Sequence, residues 1–498
     1  MNLFERYCEI FREYGHHDAF CHDEDLYSYE EFLGIINGIR MKLEDHREFA
    51  PETPAGIICF DDVYTYASIF AVWFSGCIFV PLNPLMPQSY NEELIQRHNI
   101  RMILSSGYPE KGMKVTPEKL ILTKHAEKSE MKPVYKWHDR QIAYVLTTSG
   151  STGMPKHVPI NHKNLSAYVN GFLSLYPDLG PQDKYLQTYD LTSDGAFTGY
   201  LIPFITGASV YTVSQKYFKP MGVAKVLNSK PITWVKLTPS MLACLRPFFS
   251  SFNLPGIRHF LFAGEALPAG LAEEWRKSVP NALISNLYGP TETTVTALIY
   301  KCHPGEPFRS LNQTVSIGKP FGSVKAFIQP LADTGQMDTG EMLIAGDQVM
   351  ENYLFADHQP FVTVYEGGKE VKYYPAGDLV TRDEEGYYYF SGRKDDQVKI
   401  NGYRTDLIEI ENLVREHLPQ YGNVAAVAVP AGESLSQLVV FVEGYGQNGD
   451  DLISTLAARH PRYKVPEKIV GVRTFPLLTS GKTDKKTLLA EYLQQYNT

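Results

Sequence analysis

Apolar and polar positions along this chain alternate in two periods. Short apolar runs such as PAGIICF (residues 54–60) and CIFVPL (77–82) read as buried strands, and the stretch between them reads as a helix. Ser28 followed by Glu31, ahead of Phe32, Ile35 and Ile36, fits a capping box that opens an early amphipathic helix. Strand and helix signals alternate without an internal repeat or a low-complexity tract, which predicts an α/β architecture. From about residue 310 to 390 the texture changes to short glycine-punctuated β pieces, among them GEMLIAG (340–346) and EEGYYYFSG (384–392), and predicts a small barrel-like or antiparallel subdomain. A charged connector, GRKDDQVKINGYR (392–404), follows. Beyond it VAAVAVP (424–430) and LVVFVEG (438–444) give the last stretch strand signals of its own, so a boundary is expected near Asp395, with domains 1–394 and 395–498.

The chain's length of 498 residues agrees with more than one domain. The net charge of −9, from 47 basic and 56 acidic residues, offers no basic surplus for a phosphate backbone, so nucleic acid is not an expected partner. Six cysteines without paired spacing (8, 21, 59, 77, 244 and 302) are expected to be thiols, most of them buried, in a reducing, cytoplasmic setting. The N-terminal MNLFERYCEIFREYG lacks a secretory leader's apolar stretch. The longest apolar run, about 67–82, contains Gly76 and falls short of the ~20 residues of a membrane span, so none is expected.

Residues 143–156, AYVLTTSGSTGMPK, carry the most chemistry. An apolar strand runs into a loop where Gly150 and Gly153 let backbone N–H groups turn toward an anion. Thr147, Thr148, Ser149, Ser151 and Thr152 supply hydroxyls, and Lys156 supplies a fixed positive charge. The spacing is not that of a P-loop, and the bland alternative is a flexible polar linker. In NLYGPTE (286–292), Glu292 follows a Gly-Pro turn and Thr291, an arrangement suited to holding Mg2+ against phosphate oxygens, though a solvated turn would look the same. Asp378 in AGDL could accept from hydroxyls or merely cap a turn, and Lys482 sits in a glycine-containing loop.

The loop TTSGSTGMPK resembles the signature of the adenylate-forming superfamily, which includes acyl-CoA synthetases, luciferases and peptide-synthetase adenylation domains. Further motifs stand in that family's order: LYSYEEF, WFSGCIFVPLNPLMP, NLYGPTETT, YYPAGDLV, GRKDDQVKINGYRTDLIEIE and PLLTSGKTDKK. His157 departs from the pattern, where the family usually has glycine. The resemblance implies a large N-terminal domain of doubly wound sheets with a β-rich subdomain, then a small mobile α+β lid. It implies ATP and Mg2+, with Thr148, Ser149, Gly150, Ser151, Thr152, Gly153 and Lys156 around the phosphates. Glu292 would be the metal ligand, Thr291 a phosphate contact, Tyr288 the adenine stack, and Gly264 and Glu265 the adenine-side wall. Asp378 and Arg393 would lie near the ribose, Lys482 would bridge carboxylate and phosphate, and Asp395 would be the hinge.

In TYDLTSDGAFTGYLIPFITGAS (188–209), Asp190 and Asp194 both could receive a substrate ammonium. Asp194 stands thirteen residues before Gly207, the spacing expected of amino-acid-activating members, and is preferred; its bland role is a helix cap. The same likeness places Gly195, Thr198, Lys236, Leu261, Ala263, Leu287, Val295 and Thr296 around the substrate. Lys236, in the apolar run ITWVKLTPSML, either meets a polar or acidic substrate side chain or snorkels to solvent. The small apolar remainder keeps alanine in contention, as in D-alanine carrier-protein ligases. The sequence runs sixteen residues past Lys482, so a phosphopantetheinylated carrier is expected to act in trans. The runner-up is an acyl- or aryl-CoA synthetase, and a silent nucleotide-binding homologue is the remaining alternative.

Overall fold

The chain is described from a computed structural model that covers residues 2–107, 117–124, 126–127, 129, 132–148, 155–214, 216–330, 338–357, 359–394, 397–400, 403–418, 420–421, 423–431, 435–446, 448–476 and 483–496. The early pattern folds as read. Asn2 and Ser28 each close a capping box, opening helices Leu3–Glu13 and Tyr29–Glu44. The run 67–82 is divided by Gly76, at φ +79°, between helix Val63–Phe74 and strand Ile78–Leu82. That helix is apolar nearly all round and buries every residue except Tyr64, as a helix enclosed between layers must. No helix among the described residues is long and apolar enough to cross a membrane.

Two large sheets form the body of the protein. The first runs in the order Leu120–Leu122, Met102–Ser105, Pro54–Ile58, Ile78–Leu82, Ile142–Thr148, Lys156–Asn161, parallel except for the final hairpin. The second has nine strands. Its six central ones, Leu283–Tyr288, His259–Ala263, Trp234–Leu237, Lys184–Leu186, Ser209–Tyr211 and Asp18–His22, are mutually parallel. Residues from both sheets and from helices Tyr29–Glu44, Val63–Phe74, His162–Leu175 and Gly195–Thr206 share one core rich in stacked aromatics, with Phe70 and Trp73 near its centre. The all-parallel centre needs cover on both faces, which helices supply.

The β-rich texture after residue 310 is an antiparallel sheet of five strands, from Lys325–Pro330 to Tyr388–Arg393. Further on, Val424–Pro430, Ser436–Glu443 and Lys468–Val472 form a sheet whose alternate residues feed two faces. Val424, Ala426, Leu438 and Val440 pack with Ile410 and Leu456 on one, while Ala425, Val427, Val439 and Phe441 pack with Leu488 and Tyr492 on the other. This is a small α+β unit with its own core, as expected from the sequence. Asp395, read as the hinge, lies outside the described residues.

Gly318, at φ +86°, joins the large sheet to the β-rich one: a Cβ there would sit 2.0 Å from the backbone of Ile299. Gly305 has a similar φ of +82° but open space around it. Gly305→Ala is therefore expected to cost about 1 kcal/mol for the backbone conformation alone. Gly318→Ala should cost several times more, read as a larger drop in thermal midpoint and faster proteolysis near residues 300–390.

Candidate functional site

Strands Trp234–Leu237, His259–Ala263 and Leu283–Tyr288 run parallel, and open α/β sheets bind ligands at the carboxyl ends of such strands. Register puts Lys236 beside Leu261 and Ala263 beside Leu287, so by the two-residue repeat all four share one face. Against that face lies helix Gly195–Thr206. Lys236 is 1% exposed, and its Nζ donates to the Gly195 carbonyl at 3.1 Å and to Thr198 Oγ1 at 2.9 Å, 4.9 Å from the Tyr189 ring centroid. It does not snorkel: the strand lies too deep for the side chain to reach water. Burial pushes its ammonium down to about 8, and Asp194 opposes that shift.

Asp194 opens the helix but makes no side-chain capping bond, so the cap role is not the one it fills. Burial raises its carboxyl, while a hydrogen bond from Thr291 and the nearby Lys236 and Lys399 pull it back. Asp190, the other candidate, is occupied elsewhere. It accepts from the Thr192 backbone and hydroxyl at 2.9 Å, from Asn83 Nδ2 at 3.0 Å and from the Tyr403 hydroxyl at 3.3 Å. A half-buried carboxylate and a buried ammonium close to each other suit a zwitterion or a ligand with a second acidic or amide group.

The turn carrying Thr291 and Glu292 adjoins this pocket. Glu292 is fully buried, and its Oε1 accepts from the Tyr353 hydroxyl at 2.6 Å. Beyond it Thr294 (φ 57°) and Val295 (φ 69°) are consecutive left-handed residues. Thr294 Oγ1 donates to the Gln348 carbonyl, and Gln348 Nε2 reaches the carbonyls of Thr293 and Thr296. The described residues contain no cluster of three acidic, His or Cys side chains. Glu292 is the carboxylate that would hold a Mg2+ brought in with phosphate groups, where the ion would supply charge neutralisation.

Thr148 and Lys156 face each other across the hairpin Ile142–Thr148 and Lys156–Asn161. Ser149, Gly150, Ser151, Thr152 and Gly153 between them lie outside the described residues. Thr148 Oγ1 is a buried hydroxyl without a hydrogen-bond partner among the described residues, at the mouth of that loop. His157, in place of the family's glycine, is buried and meets His98 Nε2 through Nδ1 at 2.8 Å. Burial holds both rings neutral, pushing His157 down to about 3 and His98 to about 4.

A third group gathers around Tyr288, at the end of the strand that leads into the Glu292 turn. The Tyr288 hydroxyl donates to Asp378, whose other oxygen accepts from Arg393 Nη1 at 2.6 Å. Gly264 takes φ +95°, and Glu265 binds the Ser240 backbone at 2.8 Å and its hydroxyl at 2.9 Å, tying the loop to the helix Pro239–Leu245. Lys482 lies outside the described residues. Four tyrosines of the site were not foreseen: Tyr189, Tyr353, Tyr374 and Tyr168, the last bonding Thr198 Oγ1 at 2.8 Å. Tyr189 and Tyr374 lie within quoted motifs, TYDLTSD and YYPAGDLV, but their partners, like those of Tyr168 and Tyr353, are far away in sequence.

The protein family described as AMP-binding enzyme matches residues 7–354. Dapdiamide synthesis protein DdaD of Enterobacter agglomerans is 28% identical over 505 residues, covering 97% of this chain and 80% of that protein. Three other curated relatives are matched over only 10%, 11% and 13% of their own length. Among solved structures, the Vibrio cholerae adenylation domain AlmE in complex with glycyl-adenosine-5'-phosphate superposes with a TM-score of 0.84 at 24% identity, covering 99% of this chain and 98% of that one. NpsA-ThdA, an artificially fused adenylation-PCP di-domain from Klebsiella oxytoca, gives 0.82 at 20% identity, covering 100% and 97%. With its two doubly wound sheets, β-rich subdomain and small C-terminal unit, the chain belongs to the AMP-binding enzyme family, the adenylate-forming, AMP-forming ligases.

Proposed function

We propose that this chain activates an α-amino acid with ATP and passes the aminoacyl group to the phosphopantetheine thiol of a separate carrier protein, in the cytoplasm. The observation that carries the reading is Asp194: a half-buried carboxylate at the strand ends, raised by desolvation and with no capping bond to account for its place, beside the turn of Thr291 and Glu292. A ligand ammonium is the group that would repay that burial. The relatives' printed descriptions, one an adenylation domain with a glycyl adenylate and one an adenylation domain fused to PCP, support both half-reactions.

In the first half-reaction a carboxylate oxygen of the substrate attacks the α-phosphorus, and the bond to pyrophosphate breaks. The chain's part is to align the two and to neutralise charge. Asp194 would hold the ammonium, and Thr148 with the loop ending at Lys156 would hold the phosphates. Tyr288, Gly264 and Glu265 would border the adenine, and Asp378 and Arg393 the ribose. Mg2+ at Glu292 would supply charge neutralisation on the phosphate oxygens. Lys482 would steady the developing charge between carboxylate and phosphate. In the second half-reaction the carrier thiolate attacks the acyl carbon and AMP leaves. Domains 1–394 and 395–498, turning about Asp395, would serve the two steps in turn. Tyr403 donating to Asp190 gives the C-terminal unit a contact beside this site, and Lys399 acts on Asp194 through its charge.

Lys236, buried among Thr198, Tyr189 and Gly195, favours a substrate side chain that accepts hydrogen bonds, aspartate or asparagine over alanine. In a panel of L- and D-amino acids with fatty and aryl acids included, pyrophosphate release should require an α-amino group and be greatest with aspartate or asparagine. Lys236→Ala should reverse the order toward alanine, since a desolvated charge pair is worth on the order of 2–5 kcal/mol when broken. Alanine preferred by both proteins would instead leave a D-alanine ligase, and activity with fatty or aryl acids alone a CoA synthetase.

The position of the Lys236 titration sets a pH dependence. Below about 8 the ammonium is charged in the free protein and is lost as pH rises through that value. The kcat/KM for aspartate should therefore fall above pH about 8 relative to that for alanine, whose own amine titrates alike, and the ratio should become flat in Lys236→Met.

Lys482→Ala should abolish adenylate formation while leaving thioester formation from pre-made adenylate largely intact, because its charge is needed as the α-phosphate reacts. Equal loss in both half-reactions would remove it from that role.

A further inference from the structure

The segment from Gln348 to Phe355 belongs to no motif in the sequence reading, yet it touches both sides of the nucleotide site. The Glu292 carbonyl accepts from the Met350 backbone at 2.9 Å, and the Leu354 backbone donates to the His157 carbonyl at 3.0 Å. Between those two ties sits Tyr353, whose side chain is buried. Its hydroxyl donates a hydrogen bond to Glu292 Oε1 at 2.6 Å and lies 3.1 Å from the Tyr374 hydroxyl, and its ring centroid is 5.4 Å from Lys156 Nζ. With Tyr353 committed as donor to a carboxylate, Tyr374 is the natural donor to Tyr353. Two phenols and one carboxylate thus form a directed chain, which fixes a buried acid more firmly than a single bond does.

We infer that Tyr353 is a positioning residue: it orients the Glu292 carboxylate toward the divalent cation carried by the nucleotide, and by lying under Lys156 keeps that carboxylate in step with the phosphate loop. The inference rests on the proposed ATP-dependent adenylation. Its chemistry is that of the partners behind metal ligands generally, whose loss weakens metal binding about 10–100-fold without altering the ligand itself. Nothing in it requires the phenol to touch substrate.

The test is a Mn2+ titration of the whole chain in the presence of α,β-methylene-ATP, followed by the electron paramagnetic resonance of unbound Mn2+, for wild type, Tyr353→Phe and Tyr374→Phe. Circular dichroism and thermal melting accompany each. Tyr353→Phe should weaken Mn2+ binding about tenfold and raise the Mg2+ concentration needed for half-maximal pyrophosphate release in parallel, with the KM of the amino acid unmoved. Tyr374→Phe should do the same by a smaller factor, and it decides the matter if Tyr353→Phe does not fold. A folded variant that binds Mn2+ as the wild type does, or that loses only thermal stability, overturns the inference. A wild type that shows no Mn2+-nucleotide binding and no amino-acid-dependent pyrophosphate release instead overturns the adenylation reading beneath it.

Discussion

Charge held out of water is the constraint around which this site is built. Lys236 and Glu292 are buried and Asp194 is half-buried, and a buried charge left alone would cost several kcal/mol. Each is tolerated because another part of the fold answers it: Thr291 and Lys236 for Asp194, Thr198 and the Gly195 carbonyl for Lys236, Tyr353 for Glu292. The layers exist to bring those answers together. Strand ends deliver Lys236, the buried helix delivers Asp194 and Thr198, and the crossing of the parallel sheet into its antiparallel edge delivers the turn with Glu292. A pocket with this balance is pre-organised for a ligand that completes it and hostile to one that does not.

The parts of the fold most legible in the sequence were those governed by local chemistry. The capping box at Ser28 and Glu31, the strands at 54–58 and 78–82 and the strand that runs into the loop after Thr148 follow from propensity and period within a few residues. The strand-borne set of Lys236, Leu261, Ala263 and Leu287 was reached through resemblance. It proves to be one face because parallel register and the pleat leave no other choice.

What escaped was settled by contacts across long stretches of chain. Tyr353 meets Glu292 across 61 residues, and Tyr168 meets Thr198 across 30, so neither pairing leaves a periodic trace. Lys236 illustrates the same limit from the other side. A lysine in an apolar run is compatible with burial or with snorkelling, and only the depth of its strand beneath helix Gly195–Thr206 decides for burial. The phosphate loop's own residues, Asp395 and Lys482 stay at the level of resemblance.

Thr294 and Val295 give the site a history as well as a geometry. Two β-branched residues in the left-handed region carry strain of order 1–3 kcal/mol each, held in place by Gln348 and the bonds it makes on both sides of them. That strained corner is shared: one end is the turn of the buried acid, and the other is Val295 and Thr296, which the proposed reading sets against the substrate. A substitution that relaxed the backbone to admit a new side chain would drag the turn of Glu292 with it. A side chain on the strands or the buried helix can be exchanged without loosening that spring, whereas one at the corner cannot.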